Sequence, residues 1–134
     1  MKTPITHNMV WGVTIKGDPR TKKNSQRIIR AGGRYIPIPS KQYKDYEKAA
    51  GQYLEPWKDI KISEPVNVQA RYYMKTRRKV DLTNLHEALH DILVKYKVLE
   101  DDDANIIVST DGSRVFYDKE APRTEIVITP VHNN

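Results

Sequence analysis

The chemistry open to this chain is carried mainly by carboxylates. Asp101, Asp102 and Asp103 follow one another between two apolar segments, Val98-Leu99 and Ile106 to Val108, so the fold is expected to fix their position. Clustered carboxylates repel, and a protein tolerates that more readily where a cation binds. The competing reading of the run is a solvated acidic turn. A second set lies upstream. Asn84, Glu87 and Asp91 fall at spacings of three and four on one side of an expected helix, and Asp81, near its start, lies close to the same side. Every amphipathic helix has a polar face, and Asp81 also suits a capping position. A hard cation such as Mg2+ prefers a few carboxylates completed by water and substrate phosphate.

Two other chemistries are weaker. His86-Glu87-Ala88-Leu89-His90 matches H-E-x-x-H, in which two histidines on one helix face hold Zn2+ and the glutamate activates water. No obvious third ligand follows it, and its surroundings are basic. The chain has no cysteine, which excludes disulfides, zinc–thiolate sites and cysteine nucleophiles and fits a reducing compartment.

The positive charge points to a polyanionic partner. The formal net charge is +6, and nucleic acid is the commonest polyanion. From Lys16 to Arg34 there are seven Lys and Arg residues against one Asp, and Lys75 to Lys79 forms a second cluster. Lys22, Lys23, Arg27, Arg78 and Lys79 are therefore candidate phosphate contacts; a solvated surface is the plainer reading. No run of about 18 apolar residues occurs, so no membrane span is expected. No apolar signal core follows Met1-Lys2-Thr3-Pro4, and a soluble, cytoplasmic protein is expected.

Residues 1–134 are expected to form a single domain, since the length allows one hydrophobic core and no linker divides it. Val10 to Ile15 reads as a strand ending in the turn residues Lys16-Gly17-Asp18-Pro19. Gly32-Gly33 marks a loop or hairpin turn before a short strand, Arg34 to Ile38. Ser40 reads as the N-cap of a helix from Lys41 to Leu54, and Val66 to Met74 as an alternating strand. Asp81 to Tyr96 is the clearest helix, with Leu82, Leu85, Leu89, Ile92, Leu93 and Tyr96 on one face. Ile106 to Ser109 and Arg114 to Tyr117 read as a hairpin around Thr110-Asp111-Gly112, and Thr124 to Ile128 as a final strand. The expected fold class is α+β, a mixed sheet of about five strands packed with two main helices.

These residues in this order resemble the RusA-type Holliday junction resolvases. The likeness rests on Arg77-Arg78-Lys79-Val80-Asp81-Leu82-Thr83-Asn84-Leu85, then Asp91 and Leu93, then Asp102-Asp103-Ala104-Asn105-Ile106. Upstream, Lys22-Lys23-Asn24-Ser25 with Arg27 is similar to the family's basic, Asn-containing loop, and Pro39-Ser40 with Tyr43 also fits. The likeness runs from about residue 10 to 129. Two positions depart from the family pattern: Thr83 stands where it has a second aspartate, and Glu87 where it has a helix lysine. Glu87 or Asp91 could replace the lost carboxylate. Counting without gaps aligns Asp102 with the family's later aspartate, whereas the D-D-A-x-I pattern before the strand favours Asp103.

The resemblance implies a metal-dependent endodeoxyribonuclease that resolves four-way junctions by paired phosphodiester hydrolysis. Asp81, Asp102 and Asp103 are then the catalytic carboxylates; these three and Asp91 hold Mg2+, with Mn2+ as a substitute. Lys22, Lys23, Asn24, Arg27, Arg78 and Lys79 contact DNA. It also implies a homodimer matched to a junction of near two-fold symmetry, and a setting in phage or prophage recombination and DNA repair. The alternative is a nucleic-acid-binding module with weak or no catalysis, because of Thr83 and Glu87.

Overall fold

Strict alternation of buried and partly exposed residues organises the sheet, because successive side chains of a strand point to opposite faces. In the computed structural model, which describes residues 10–22 and 26–132, the pattern is clearest in the strand Val66–Met74. It is the fourth strand, β4, after β1 (Trp11–Lys16), β2 (Gln26–Ala31), β3 (Arg34–Pro39) and the helix α1 (Lys41–Tyr53). After it come α2 (Leu82–Lys95), β5 (Ile107–Ser109), β6 (Arg114–Tyr117) and β7 (Arg123–Pro130). A short 3-10 turn, Glu55–Trp57, follows α1.

The main sheet has five strands and is mixed. β7 lies between β1 and β4, antiparallel to both, and β5 and β6 pair in parallel with the other side of β4. β2 and β3 form a separate antiparallel hairpin. Its two turn residues, Gly32 and Gly33, both have positive φ, 57° and 77°, the backbone that a tight two-residue hairpin requires. The α+β class, the two helices and the five-stranded mixed sheet agree with the sequence.

The hairpin expected between β5 and β6 does not form. The two strands run in tandem along β4, β5 beside Val66 and Asn67 and β6 beside Arg71 to Met74. Side chains reaching across from β4 explain this. Asn67 Oδ1 accepts from Ser109 Oγ at 2.6 Å and from the Asp111 N–H at 2.7 Å, while its Nδ2 donates to the Asp111 carbonyl at 3.1 Å. Between the two short strands, the Ala70 N–H donates to Ser113 Oγ at 2.9 Å. Gly112, at φ 85°, leaves room for Gln69 where a Cβ would collide with it. The turn residues thus step the chain along β4 instead of reversing it.

Both helices bury most of their apolar stripes in one core, Leu82 at the start of α2 staying 37% exposed. Leu85, Ala88, Leu89, Ile92 and Leu93 of α2 and Tyr43, Tyr46 and Ala50 of α1 join Val68, Ala70 and Tyr72 of β4 and Ile126 and Ile128 of β7. Ser40 caps α1, its Oγ accepting from the Tyr43 N–H at 3.2 Å. Tyr46 ties α1 to the sheet through Thr124 Oγ1 at 2.9 Å, and burial pushes its phenol up to about 12. Gly51 is where α2 approaches α1: a Cβ there would stand 2.8 Å from the Tyr96 ring. Among the described residues no helix is long and apolar enough to cross a membrane.

The end of α2 is laced to the segment before β4, which fixes where the acidic run begins. The N–H groups of Lys61 and Ile62 donate to the carbonyls of Lys97 and Val98, and the Glu100 N–H returns to the Ile62 carbonyl. Lys61 and Lys97 hold positive φ, 54° and 58°, where a Cβ crowds the following carbonyl. Lys97 directly follows the C-cap Tyr96, a position at which glycine is the usual residue. Lys97→Gly is therefore expected to raise stability by about 1 kcal/mol, read as a higher denaturant midpoint with an unchanged slope. A lower midpoint would mean that the lysine side chain itself holds the helix end.

Candidate functional site

Asp81 occupies the N-cap position of α2, with extended backbone (φ −95°, ψ 132°), yet its side chain makes no capping hydrogen bond. Its carboxylate instead accepts from Asn84 Nδ2 at 3.3 Å, and the residue is exposed. The carboxylate is thus turned outward from the helix start and not used up in capping.

Asp91 lies ten residues further along the same helix, about 15 Å of helical rise away. Its carboxylate takes a 2.6 Å ion pair from Lys22 Nζ, which reaches in from the chain after β1, and both side chains are about one-third exposed. The Lys22 ammonium also sits 5.8 Å from the centre of the Tyr43 ring, so α1 supplies the wall of the site. Tyr43 is held neutral well above the usual phenol range by its burial first, then by the charges of Glu47 and Asp91.

Within the acidic run the three aspartates have different surroundings. Asp101 Oδ1 accepts from the Asp102 N–H, and Asp103 Oδ1 accepts from the Asn105 N–H, both at 2.8 Å. The Asp103 carbonyl also accepts from the N–H groups of Ile106 and Ile107, so this residue builds the turn that launches β5. Asp102 has its proton affinity raised, by partial burial first and then by the charge of Asp91 and its contacts with Asp101. The structure thus couples Asp102 to Asp91 and gives Asp103 a turn-forming role.

These groups fit a hard divalent cation in part. The donors are carboxylate oxygens, and the Asp91 charge adds to burial in raising the proton affinity of Asp102, an interaction a cation would relieve. Mg2+ takes one or two protein carboxylates and completes its shell from water and phosphate. Asp81 stands at the opposite end of α2 from Asp91, and among the described residues no three His, Asp or Glu side chains gather into a metal-binding group. Thr83 and Glu87 are both exposed on the first turns of α2.

The expected DNA contacts divide. Lys22 is paired with Asp91, and Arg78 is an internal strut: its guanidinium donates to Asp18 Oδ2 at 2.7 Å and to the Pro19 carbonyl. Asp18 also accepts from the Lys75 N–H at 3.0 Å, so it pins the loop after β1 to the segment leading into α2. Lys79 is exposed. Lys23 and Asn24 lie outside the described residues, as does the side chain of Arg27. Sequence reasoning read Asp18-Pro19 only as a turn, and nothing local to it signals the partner sixty residues away.

The H-E-x-x-H histidines are packed as structural groups. Their rings stack in parallel, 6° apart with centroids at 5.5 Å, and His86 Nδ1 is 2.7 Å from the Tyr72 hydroxyl. His90 Nε2 is buried with no hydrogen-bond partner in the protein. Burial, then the neighbouring His86, pushes the His90 imidazolium down to about 4, against a weaker opposing pull from Asp91.

A family model described as endodeoxyribonuclease RusA matches residues 16–129 of this chain. No match was found among curated proteins. The histidine pair is accordingly tested as part of the fold. A histidine whose folded pKa is depressed binds its proton more readily when unfolded, so stability falls as pH drops from about 6.5 toward about 4 and levels off below. The loss should reach roughly 3 kcal/mol, measured by urea denaturation in EDTA, and His90→Leu should flatten that limb. An unchanged pH dependence in His90→Leu would assign the acid sensitivity to other groups.

Proposed function

The chain belongs to the RusA family of endodeoxyribonucleases, and on that premise we propose that it cuts four-way DNA junctions with the help of a divalent cation, Mg2+ or Mn2+. The single observation that carries the site assignment is the 2.6 Å Lys22–Asp91 ion pair, with the Asp91 charge, after burial, among the causes that raise the proton affinity of Asp102. Asp91 and Asp102 would hold the cation, with Asp103 next to Asp102 in the chain and Asp81 facing out from the start of the helix that carries Asp91. A bound divalent cation supplies charge neutralisation at phosphorus and lowers the pKa of a coordinated water.

The protein's own groups divide the remaining work. Asp91 and Asp102 accept positive charge, and the raised proton affinity of Asp102 makes protons compete with the cation as the pH falls. Lys22 balances Asp91 and supplies an ammonium that a phosphate oxygen can share. Exposed Lys79, together with Lys23, Asn24 and Arg27 of the basic segment, positions the backbone without reading sequence. Arg78 holds the loop after β1 in place through Asp18. A homodimer would set one such site on each of two opposed strands of the junction.

The second reading, a junction-binding module with little or no cleavage, is favoured by Thr83 and Glu87 and by the lack of a three-donor group among the described residues. One experiment separates the two. Purified protein is incubated with an end-labelled immobile junction and a matched linear duplex, in Mg2+ or in EDTA. Paired nicks confined to the junction and dependent on Mg2+ are expected. Asp102→Asn and Asp81→Asn should each lower the rate by roughly 100-fold or more, beyond the loss typical of an outer-shell partner, with junction affinity kept within about twofold because the basic surface is untouched. Tight junction binding without nicks in Mg2+ or Mn2+ would select the binding module.

A further inference from the structure

Beside the start of α2 the sheet ends in a groove of about 280 Å3 that the carboxylate site does not use. Its walls include Met74, Arg77, Arg78, Val80, Val115 and Tyr117. Val80, in the groove wall, immediately precedes Asp81 in the chain. In the sheet register Val115 and Tyr117 pair with Tyr72 and Met74, so they continue the core-facing side of β4 onto the outermost strand. Tyr72 and Met74 are covered, but Val115 and Tyr117 remain 36% and 42% exposed. Among the described residues no further strand pairs with β6.

The cationic side of the groove is already organised around the aromatic ring. The Arg77 guanidinium lies 4.3 Å from the centre of the Tyr117 ring, and Arg78 is locked by Asp18 and Pro19. Lys75 and Lys79 flank the lining residues Arg77 and Arg78, so four cations fall within five residues of sequence. A second copy of the chain paired edge to edge here would bring the same cationic segment against itself, which disfavours that occupant. A polyanion is favoured, but a phosphate backbone alone has no use for a wall of valine, methionine and tyrosine. In duplex DNA the base faces are covered by their neighbours. A nucleotide that has left its stack presents both an apolar face and a phosphate.

We propose that this groove receives one unstacked nucleotide at the branch point, with its base against Tyr117 and Val115 and its phosphate met by Arg77. The inference rests on the junction-cleavage reading and deepens it. The groove would favour branched DNA over duplex, because only a branch supplies such a nucleotide at low unstacking cost. Tyr117 is thereby a specificity-determining residue.

The test couples protein and DNA changes. Junctions are prepared intact or with each branch-point nucleotide in turn made abasic, and bound in EDTA by wild-type protein and by Tyr117→Leu, whose thermal midpoint is checked. Wild type should bind the intact junction roughly tenfold tighter than one of the abasic junctions, as base–aromatic stacking implies. In Tyr117→Leu that difference should shrink to less than about twofold, whereas Arg77→Gln should weaken all junctions about equally. Equal discrimination by wild type and Tyr117→Leu, with junction binding and cleavage intact, would overturn the groove assignment alone. A change of oligomeric state in Tyr117→Leu, seen by sedimentation, would overturn it in favour of a protein contact. Failure of wild type to bind junctions would remove the reading on which it rests.

Discussion

An ion pair between residues 69 positions apart connects the chain's basic and acidic halves. Lys22, on the segment after β1, meets Asp91 on α2 at 2.6 Å, over the ring of Tyr43 from α1. With both side chains one-third exposed, the pair contributes about 1 kcal/mol at most to stability. Its consequence is positional. It brings the basic segment to the carboxylate that Asp102 senses, and it compensates one of two negative charges that would otherwise repel. Asp18 does the same job in mirror image, an acid after β1 holding the basic segment before α2 through Arg78. The two halves of the candidate site are thus cross-linked by opposite charges, one link at each end of the helix.

The sheet and helix end serve this arrangement. The lacing of residues 61–62 to 97–100 delivers the acidic run to a fixed point, and the Asp103 turn passes it into β5. The tandem placement of β5 and β6 on β4 carries the chain from the Asp102 side of the molecule to the side of Asp81. The membership of the RusA family and the distribution of charge then point the same way, toward a DNA substrate met by cations.

Much of the frame was legible because it depends on local periodicity. The leucine stripe set α2, alternation set β4, Ser40 set the start of α1, and Gly32-Gly33 set the β2–β3 turn. The β5–β6 relation was not legible. Thr110-Asp111-Gly112 has the composition of a reversing turn, and what redirected it were partners on another strand, Asn67, Gln69 and Ala70. The site was readable as a set of residue types but not as an assembly. Counting does not separate Asp102 from Asp103, because what distinguishes them lies in their surroundings: Asp103 Oδ1 accepts from the Asn105 N–H, while burial raises the proton affinity of Asp102. Asp81 suited a cap by position, yet its carboxylate is held by Asn84 instead. Arg78 and Lys22 read as free cations since their acidic partners lie sixty or more residues away.

The central claim, that Asp91 and Asp102 together form a divalent-cation site, is tested most directly by side-chain carboxyl NMR of the free protein during a Mg2+ titration. Saturable shifts at Asp102 and Asp91, with Asp102 losing its raised proton affinity as Mg2+ binds and both effects absent in Asp91→Asn, are predicted. Carboxyl signals of Asp91 and Asp102 that stay fixed in Mg2+ while the same preparation cleaves junctions would contradict the account and move the metal site elsewhere.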